Sequence, residues 1–439
     1  MKTLIRGGRV VDPSSGRDEV ADVLLEDGRI AAVEPGIAAD GVREIDAVGL
    51  TVAPGLVDMH VHLREPGYEY KEDIASGSAA AAAGGFTSVA CMPNTNPALD
   101  DEPSIAAVLS RAAEVGLCRV HPIAAITRGR AGKDLTEMVL LERAGAVGFS
   151  DDGDPVGSSR VMRRALEYSR LTSRAILSHS EDRDLSAGGH MNEGRMSTLL
   201  GIPGMPAAAE EIGTERDIRL AEMTGGRLHV CHVSTAGSVE ILRQAKRRGV
   251  RVTAEAAPHH FTLTDEAVEG YDASTKMSPP LRTPEDRSAI IEGLADGTLD
   301  AIATDHAPHA DREKLVEFDR APFGIIGLET ALGLAVTELV AGGHMTLPEV
   351  IAKMSIIPSQ ILGIDAGTLS VGAVADIVLI DPQEKWTVSQ ADLRSKARNT
   401  PFIDRALVGR AVLTLLGGET THAHPDALSR ITVQEETSV

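Results

Sequence analysis

GLVDMHVHL, residues 55–63, is an apolar run that ends in His60-Val61-His62, and its reading decides the fold. A strand repeats every two residues, so a strand here sends both imidazoles to the same face. Seven further short β-branched or apolar runs follow: FTSVACMP from Phe86, CRVHPIAAI from Cys118, AVGFS from Ala146, RAILSH from Arg174, RLHVCHV from Arg227, VRVTAEAA from Val250 and DAIATDH from Asp300. Between them lie helix-like segments such as ASGSAAAAAG, EPSIAAVLSRAAEVG, RVMRRALEYSRL, GSVEILRQAKRRG and PEDRSAIIEGLADG. Eight strands alternating with helices predict an α/β fold, a TIM (β/α)8 barrel, whose chemistry belongs at the carboxyl ends of the strands.

Outward from the barrel, both chain ends read as β structure. TLIRGGRVVD, ADVLLEDGRIAAVE with its Asp-Gly turn, and REIDAVGLTVAP open the chain; GTLSVGAVADIVLID and ALVGRAVLTLLGG close it. Chains below roughly 60 residues are marginal on their own, so neither end holds an adequate core. The expectation is one small composite β-domain formed by both ends, with its N-terminal part at 1–53, the catalytic barrel at 54–364, and its C-terminal part and tail at 365–439.

The formal net charge is −21 with aromatic residues at 3%, which leaves no platform for phosphate tracking or base stacking. Neither nucleic acid nor an anionic membrane is an expected partner. The N-terminus has no apolar region of signal-peptide length, and the most apolar later stretch, 324–341, carries Glu329 and Glu338. Cys91, Cys118 and Cys231 are odd in number and contain no CxxC spacing, which fits reduced, buried thiols and a cytoplasmic location.

The strand ends carry more than the first histidine pair. His179 ends the fifth run, His232 the sixth and Asp305 the eighth. Two histidines on one strand are more often a solvated face than a metal site, but four imidazoles and a carboxylate at one mouth of a barrel are hard to reconcile with that. Imidazole and carboxylate without thiolate suit zinc, and the set also accepts Mn, Fe, Co or Ni. Five ligands exceed what one catalytic zinc takes, so two ions about 3.5–4 Å apart with an anionic bridge are expected. The fourth run ends in Ser150-Asp151-Asp152-Gly153, and no lysine lies between Lys133 and Lys246. The bridge from this strand is therefore an aspartate, Asp151 or Asp152.

DMHVHLREPG, CMPNTNP, FSDDGDPV, ILSHSED, HVCHVST, APHHFTLT and ATDHAPH with the segment through Thr330 together resemble the dihydroorotase family, most closely its type I bacterial enzymes within the amidohydrolase superfamily. The resemblance runs from about Thr3 to about Gly418. It implies that His60 and His62 hold one zinc, His179 and His232 the other, with Asp152 between them, and that Asp305 binds the first metal and is the catalytic acid and base. It also implies that Arg64, Asn94 and His309 hold a substrate carboxylate and that Phe323 and Gly324 contact the ring through their backbone. Ser278 stands where the family usually has asparagine, replacing an amide that faces the substrate ring with one hydroxyl.

The implied reaction is the reversible, zinc-dependent cyclisation of N-carbamoyl-L-aspartate to L-dihydroorotate in pyrimidine biosynthesis. Because the protein is acidic and the substrates are anions, capture is expected to depend on two divalent ions and Arg64, with His309 adding its charge if protonated. The alternatives are another cyclic-amide hydrolase (a hydantoinase, a dihydropyrimidinase or an allantoinase-like enzyme) and a non-catalytic scaffold homologue. The resemblance also brings forward two partners to be tested, aspartate transcarbamoylase and further copies of the chain.

Overall fold

The computed structural model describes residues 2–39, 41–429 and 431–433. The chain opens with β1 (Lys2–Asp12), β2 (Arg17–Glu26), β3 (Arg29–Glu34), β4 (Arg43–Asp46) and β5 (Thr51–Pro54). The Asp-Gly turn between β2 and β3 is tight because Asp27 and Gly28 both take positive φ, 49° and 75°.

Eight barrel positions follow: β6 (Leu56–Val61), β7 (Phe86–Cys91), a third position split into β8 (Arg119–Pro122) and β9 (Ala124–Ala125), β10 (Phe149–Ser150) and β11 (Ile176–Ser178). A short pair, β12 (Met191–Asn192) and β13 (Gly204–Met205), interrupts the sequence before β14 (Leu228–Val230), β15 (Val252–Ala256) and β16 (Ala301–Ile302) complete it. The strands run parallel in the order β6-β7-β8, then β9-β10-β11-β14-β15-β16, and a parallel bridge from Val61 to His306 joins the last strand back to the first. Each of the eight runs read from the sequence contains its strand. Several are shorter than the runs, since only two residues pair at β10 and β16 before the chain turns into site loops.

β6 and β7 are buried at every residue, as parallel strands under a helical layer must be. The helices around them begin where local chemistry permits. Asp73 caps the helix Ile74–Ala83, Asp101 caps Glu102–Val115, and Thr283 with Asp286 forms a capping box on Pro284–Ala295. Each cap satisfies backbone N–H groups that would otherwise lack partners and is worth about 1 kcal/mol.

β17 (Ile377–Thr387), β18 (Ala406–Leu416), β19 (Glu419–Ala423) and β20 (Ile431–Val433) return to the first sheet. Its order is β19-β18-β17-β5-β1-β2-β3, with β4 beside β1 and β20 beside β4, nine strands in all. One core lies against it, shared by Ile5, Val10, Val23 and Val52 from the start of the chain and Ile377, Leu379 and Leu413 from its end. The run GTLSVGAVADIVLID becomes strand only from Ile377, because Gly367 and Gly372 turn the preceding segment at φ 79° and 89°. No helix among the described residues is long and apolar enough to cross a membrane.

Candidate metal centre and substrate pocket

At the carboxyl end of β6, His60 and His62 turn inward together. Nδ1 of His60 lies 2.7 Å from Oε1 of Glu255 at the end of β15, and Nδ1 of His62 lies 2.9 Å from Oδ1 of Asn94. These oxygens accept the Nδ1 protons, which leaves both Nε2 lone pairs facing the barrel axis. His60 Nε2 is fully buried and has no hydrogen-bond partner among the described residues; it sits 3.5 Å from Asp152 Oδ2 and 3.5 Å from Asp305 Oδ1. His62 Nε2 is 3.0 Å from Asp305 Oδ1.

On the other side, His179 Nδ1 and His232 Nε2 approach to 3.0 Å, and Asp152 Oδ1 is 3.5 Å from the first and 3.3 Å from the second. Donor atoms of His60, His62 and Asp152 fall within 4.8 Å of one another, as do those of Asp152, His179 and His232, and those of His60, His232 and Asp305. Asp152 thus faces one histidine pair with each carboxylate oxygen. Its neighbour Asp151 is turned away, accepting the backbone N–H of Thr127 at 3.0 Å and the hydroxyl of the same residue.

The donor set fits a pair of divalent cations. Burial opposes a proton on His60, yet Asp152, Asp305 and Glu255 raise its proton affinity well above that of an ordinary histidine. Burial likewise pushes the Asp305 carboxyl up, but His60, His62 and His232 outweigh it and hold the group at about 2. Buried carboxylates around an unpartnered imidazole nitrogen describe a cavity that calls for positive charge. Three of the residues gathered here, Arg64, His232 and Asp305, adopt left-handed φ values of 63°, 34° and 48°. Such conformations cost of order 1–3 kcal/mol each and persist where the surroundings impose them, often at functional sites.

A cavity of about 660 Å³ opens beside this cluster, with Arg64, Asn94, Ser278, His309, Phe323 and Gly324 all in its wall. Arg64 is buried and donates from Nε to Pro308 O at 3.2 Å; burial pushes its guanidinium down to about 10. Asn94 gives its oxygen to His62, so its NH2 is the part left for the cavity. Ser278 Oγ has no hydrogen-bond partner among the described residues. The Gly324 N–H donates to Lys276 O at 2.9 Å, and its carbonyl accepts from Asn399 Nδ2 at 2.9 Å. A Cβ at Gly324 would stand 2.5 Å from Ala307 O, which explains the glycine.

His309 does not add the positive charge expected of a protonated ring, because burial and the adjacent Arg64, Lys71 and Lys314 hold its proton affinity far below the usual histidine range. The neutral ring donates from Nε2 to Phe323 O at 2.9 Å, and Lys71 Nζ lies 3.4 Å from Nδ1. Arg64 and Arg183 are the cations in the cavity wall, and Lys71 stands behind it against His309. The reading of the sequence passed over Lys71, and it passed over Glu255 and Glu181, the latter 3.4 Å from His179 Nε2. An acid inside an apolar strand, as in VTAEA, was the available signal for Glu255.

Comparison with known proteins gives the family. The Dihydro-orotase-like family model matches residues 49–238. The dihydroorotase of Pelotomaculum thermopropionicum is 56% identical over 418 residues, covering 95% of this chain and 98% of that protein. The chain belongs to the dihydroorotase family. The dihydroorotase of Syntrophus aciditrophicus is 54% identical over 420 residues, covering 95% and 98%. Among solved structures, the L-hydantoinase (dihydropyrimidinase) of Arthrobacter aurescens aligns with a TM-score of 0.86 at 26% identity over 96% of each chain. The dihydropyrimidinase of Brevibacillus agri aligns at 0.84 and 25%, covering 96% and 95%. Dihydroorotases and these neighbours are metal-dependent cyclic amidohydrolases built on a barrel with an added β-domain, and this chain is one of them.

Proposed function

We propose that this chain is a dihydroorotase of the type I bacterial class, interconverting L-dihydroorotate and N-carbamoyl-L-aspartate in pyrimidine synthesis with two zinc ions per chain. The observation that carries the reading is Asp152, whose two oxygens face separate histidine pairs at a strand end that has no lysine. His60, His62 and Asp305 would hold one ion and His179 and His232 the other, with Asp152 shared. When bound, such ions polarise a carbonyl and lower the pKa of water toward 7.

The chain's own residues do the rest. In the hydrolytic direction water oxygen bonds to the ring carbonyl carbon, the C–N bond breaks, and Asp305 takes the water proton and passes it to the departing ring nitrogen. In cyclisation the proton moves the other way. Arg64 grips the substrate carboxylate through parallel N–H donors, with Asn94 and His309 beside it as neutral partners and with Ser278, Phe323 and Gly324 against the ring. We take 1–53, 54–364 and 365–439 as the units of the chain, the cytoplasm as its compartment, and self-association and contact with aspartate transcarbamoylase as properties to be tested by co-purification and sizing.

The second reading, a hydantoinase or dihydropyrimidinase, draws on the solved neighbours, but identity to those is half that to the dihydroorotases. Purified protein assayed side by side on dihydroorotate, hydantoin and allantoin, with its metal content measured, tests the proposal. Turnover of dihydroorotate first, with more than one divalent ion per chain, is expected; preference for hydantoin, or full activity without metal, overturns it.

A further inference from the structure

Three loops of the pocket wall meet at one side chain, Lys276. It is 2% exposed, and its Nζ donates to Phe318 O at 2.8 Å and Asp319 O at 3.0 Å and lies 3.2 Å from His190 Nδ1. An ammonium group has three N–H donors and no acceptor, and these contacts use all three. His190 Nδ1 must therefore accept, which places the proton of the neutral imidazole on Nε2. Burial pushes Lys276 down to about 8, so it stays largely charged at neutral pH, while burial and Lys276 together lower the proton affinity of His190.

His190 is also fixed from its backbone. Its N–H donates to Pro203 O at 2.9 Å, and the next residue pairs in register with Gly204 in the β12–β13 ribbon. The ring is half-buried in the wall of the cavity that Ser278 also lines, and its Nε2 has no partner among the described residues. A fixed neutral donor thus lines the same cavity as Ser278, which offers only a short hydroxyl.

We propose that His190 is a specificity-determining contact, its Nε2–H donating to an oxygen acceptor of the cyclic substrate, and that Lys276 is the positioning residue that sets this tautomer. The assignment of the oxygen to dihydroorotate rests on the function proposed above. The tautomer and the contact do not.

Two measurements on the full-length, metal-loaded protein test it. In long-range proton–nitrogen spectra of 15N-histidine-labelled protein, the signal lost in His190→Ala should show the proton on Nε2, and Lys276→Met should mix the tautomers. A proton on Nδ1, or a doubly protonated ring at neutral pH, overturns the proposal. In kinetics, His190→Ala should raise KM about 3- to 10-fold, the size of one neutral hydrogen bond, with a much smaller change in kcat. His190→Gln, whose amide N–H reaches the same place, should recover most of the loss. An unchanged KM in His190→Ala overturns the contact even if Lys276→Met fails to fold. Should the parent protein turn over hydantoin and not dihydroorotate, the proposed function falls, while the same KM comparison on hydantoin still decides the role of His190.

Discussion

Replacing Glu255 separates a supporting carboxylate from the ligands it supports. Glu255 is 1% exposed and bonds two histidines, His60 Nδ1 at 2.7 Å and His229 Nε2 at 3.0 Å. In Glu255→Gln the amide oxygen still accepts from His60, and the amide N–H2 faces His229. That ring accommodates the change by moving its proton to Nδ1, where Thr253 Oγ1 lies at 2.9 Å and accepts it. Packing and hydrogen bonds therefore survive, and what is lost is the negative charge that makes His60 a stronger donor. Partners of this kind are worth about 10- to 100-fold in metal affinity, or about 1.4–2.7 kcal/mol. Glu255→Ala in addition leaves the buried His60 Nδ1–H without an acceptor, at about 1–3 kcal/mol, and should lower the melting temperature as well. Competition with a coloured chelator, read beside thermal unfolding, distinguishes the two variants. If Glu255→Gln binds metal as tightly as the parent protein, the charge of Glu255 does not strengthen His60 as a ligand and the reasoning fails.

Asp305→Asn should reduce kcat in both directions by about 100- to 10,000-fold with the fold retained by circular dichroism; activity within a fewfold of the parent assigns the proton transfer elsewhere. Arg64→Met should raise KM for dihydroorotate and erode its preference over dihydrouracil, which lacks the carboxylate, by about 1.5–3 kcal/mol, as side-by-side kcat/KM values would show. Glu329, which is not one of the candidate ligands, is pushed by burial up to about 7, although it accepts the backbone N–H groups of Arg394 and Ser395. The folded chain then keeps a proton there that the unfolded chain releases from about 4.5 upward. Its contribution to stability is complete below about 4.5 and disappears as pH rises through 7. Melting temperature followed from pH 4.5 to 8 should fall less steeply in Glu329→Gln than in the parent; parallel curves would place the titration elsewhere.

Local patterns in the chain determined the barrel. The two-residue repeat at His60 and His62, the apolar runs that recur between cap residues such as Asp73, Asp101 and Thr283, and the positions of His179, His232 and Asp305 at run ends are short-range properties. Each shows in a stretch of sequence of a dozen residues. Gly367 and Gly372, which delay the start of β17 to Ile377, are signals of the same local kind. Three things awaited the tertiary structure: Asp152 rather than Asp151 faces the histidines, burial together with Arg64, Lys71 and Lys314 disfavours a second proton on His309, and Lys276 determines which nitrogen of His190 carries a proton. The reason is distance along the chain. His60 meets Glu255 across 195 residues, His62 meets Asp305 across 243, and Lys276 meets His190 across 86. Protonation, tautomer and ligand choice follow from the field and hydrogen bonds of such neighbours, and neighbours so far apart in sequence come together only when the barrel closes.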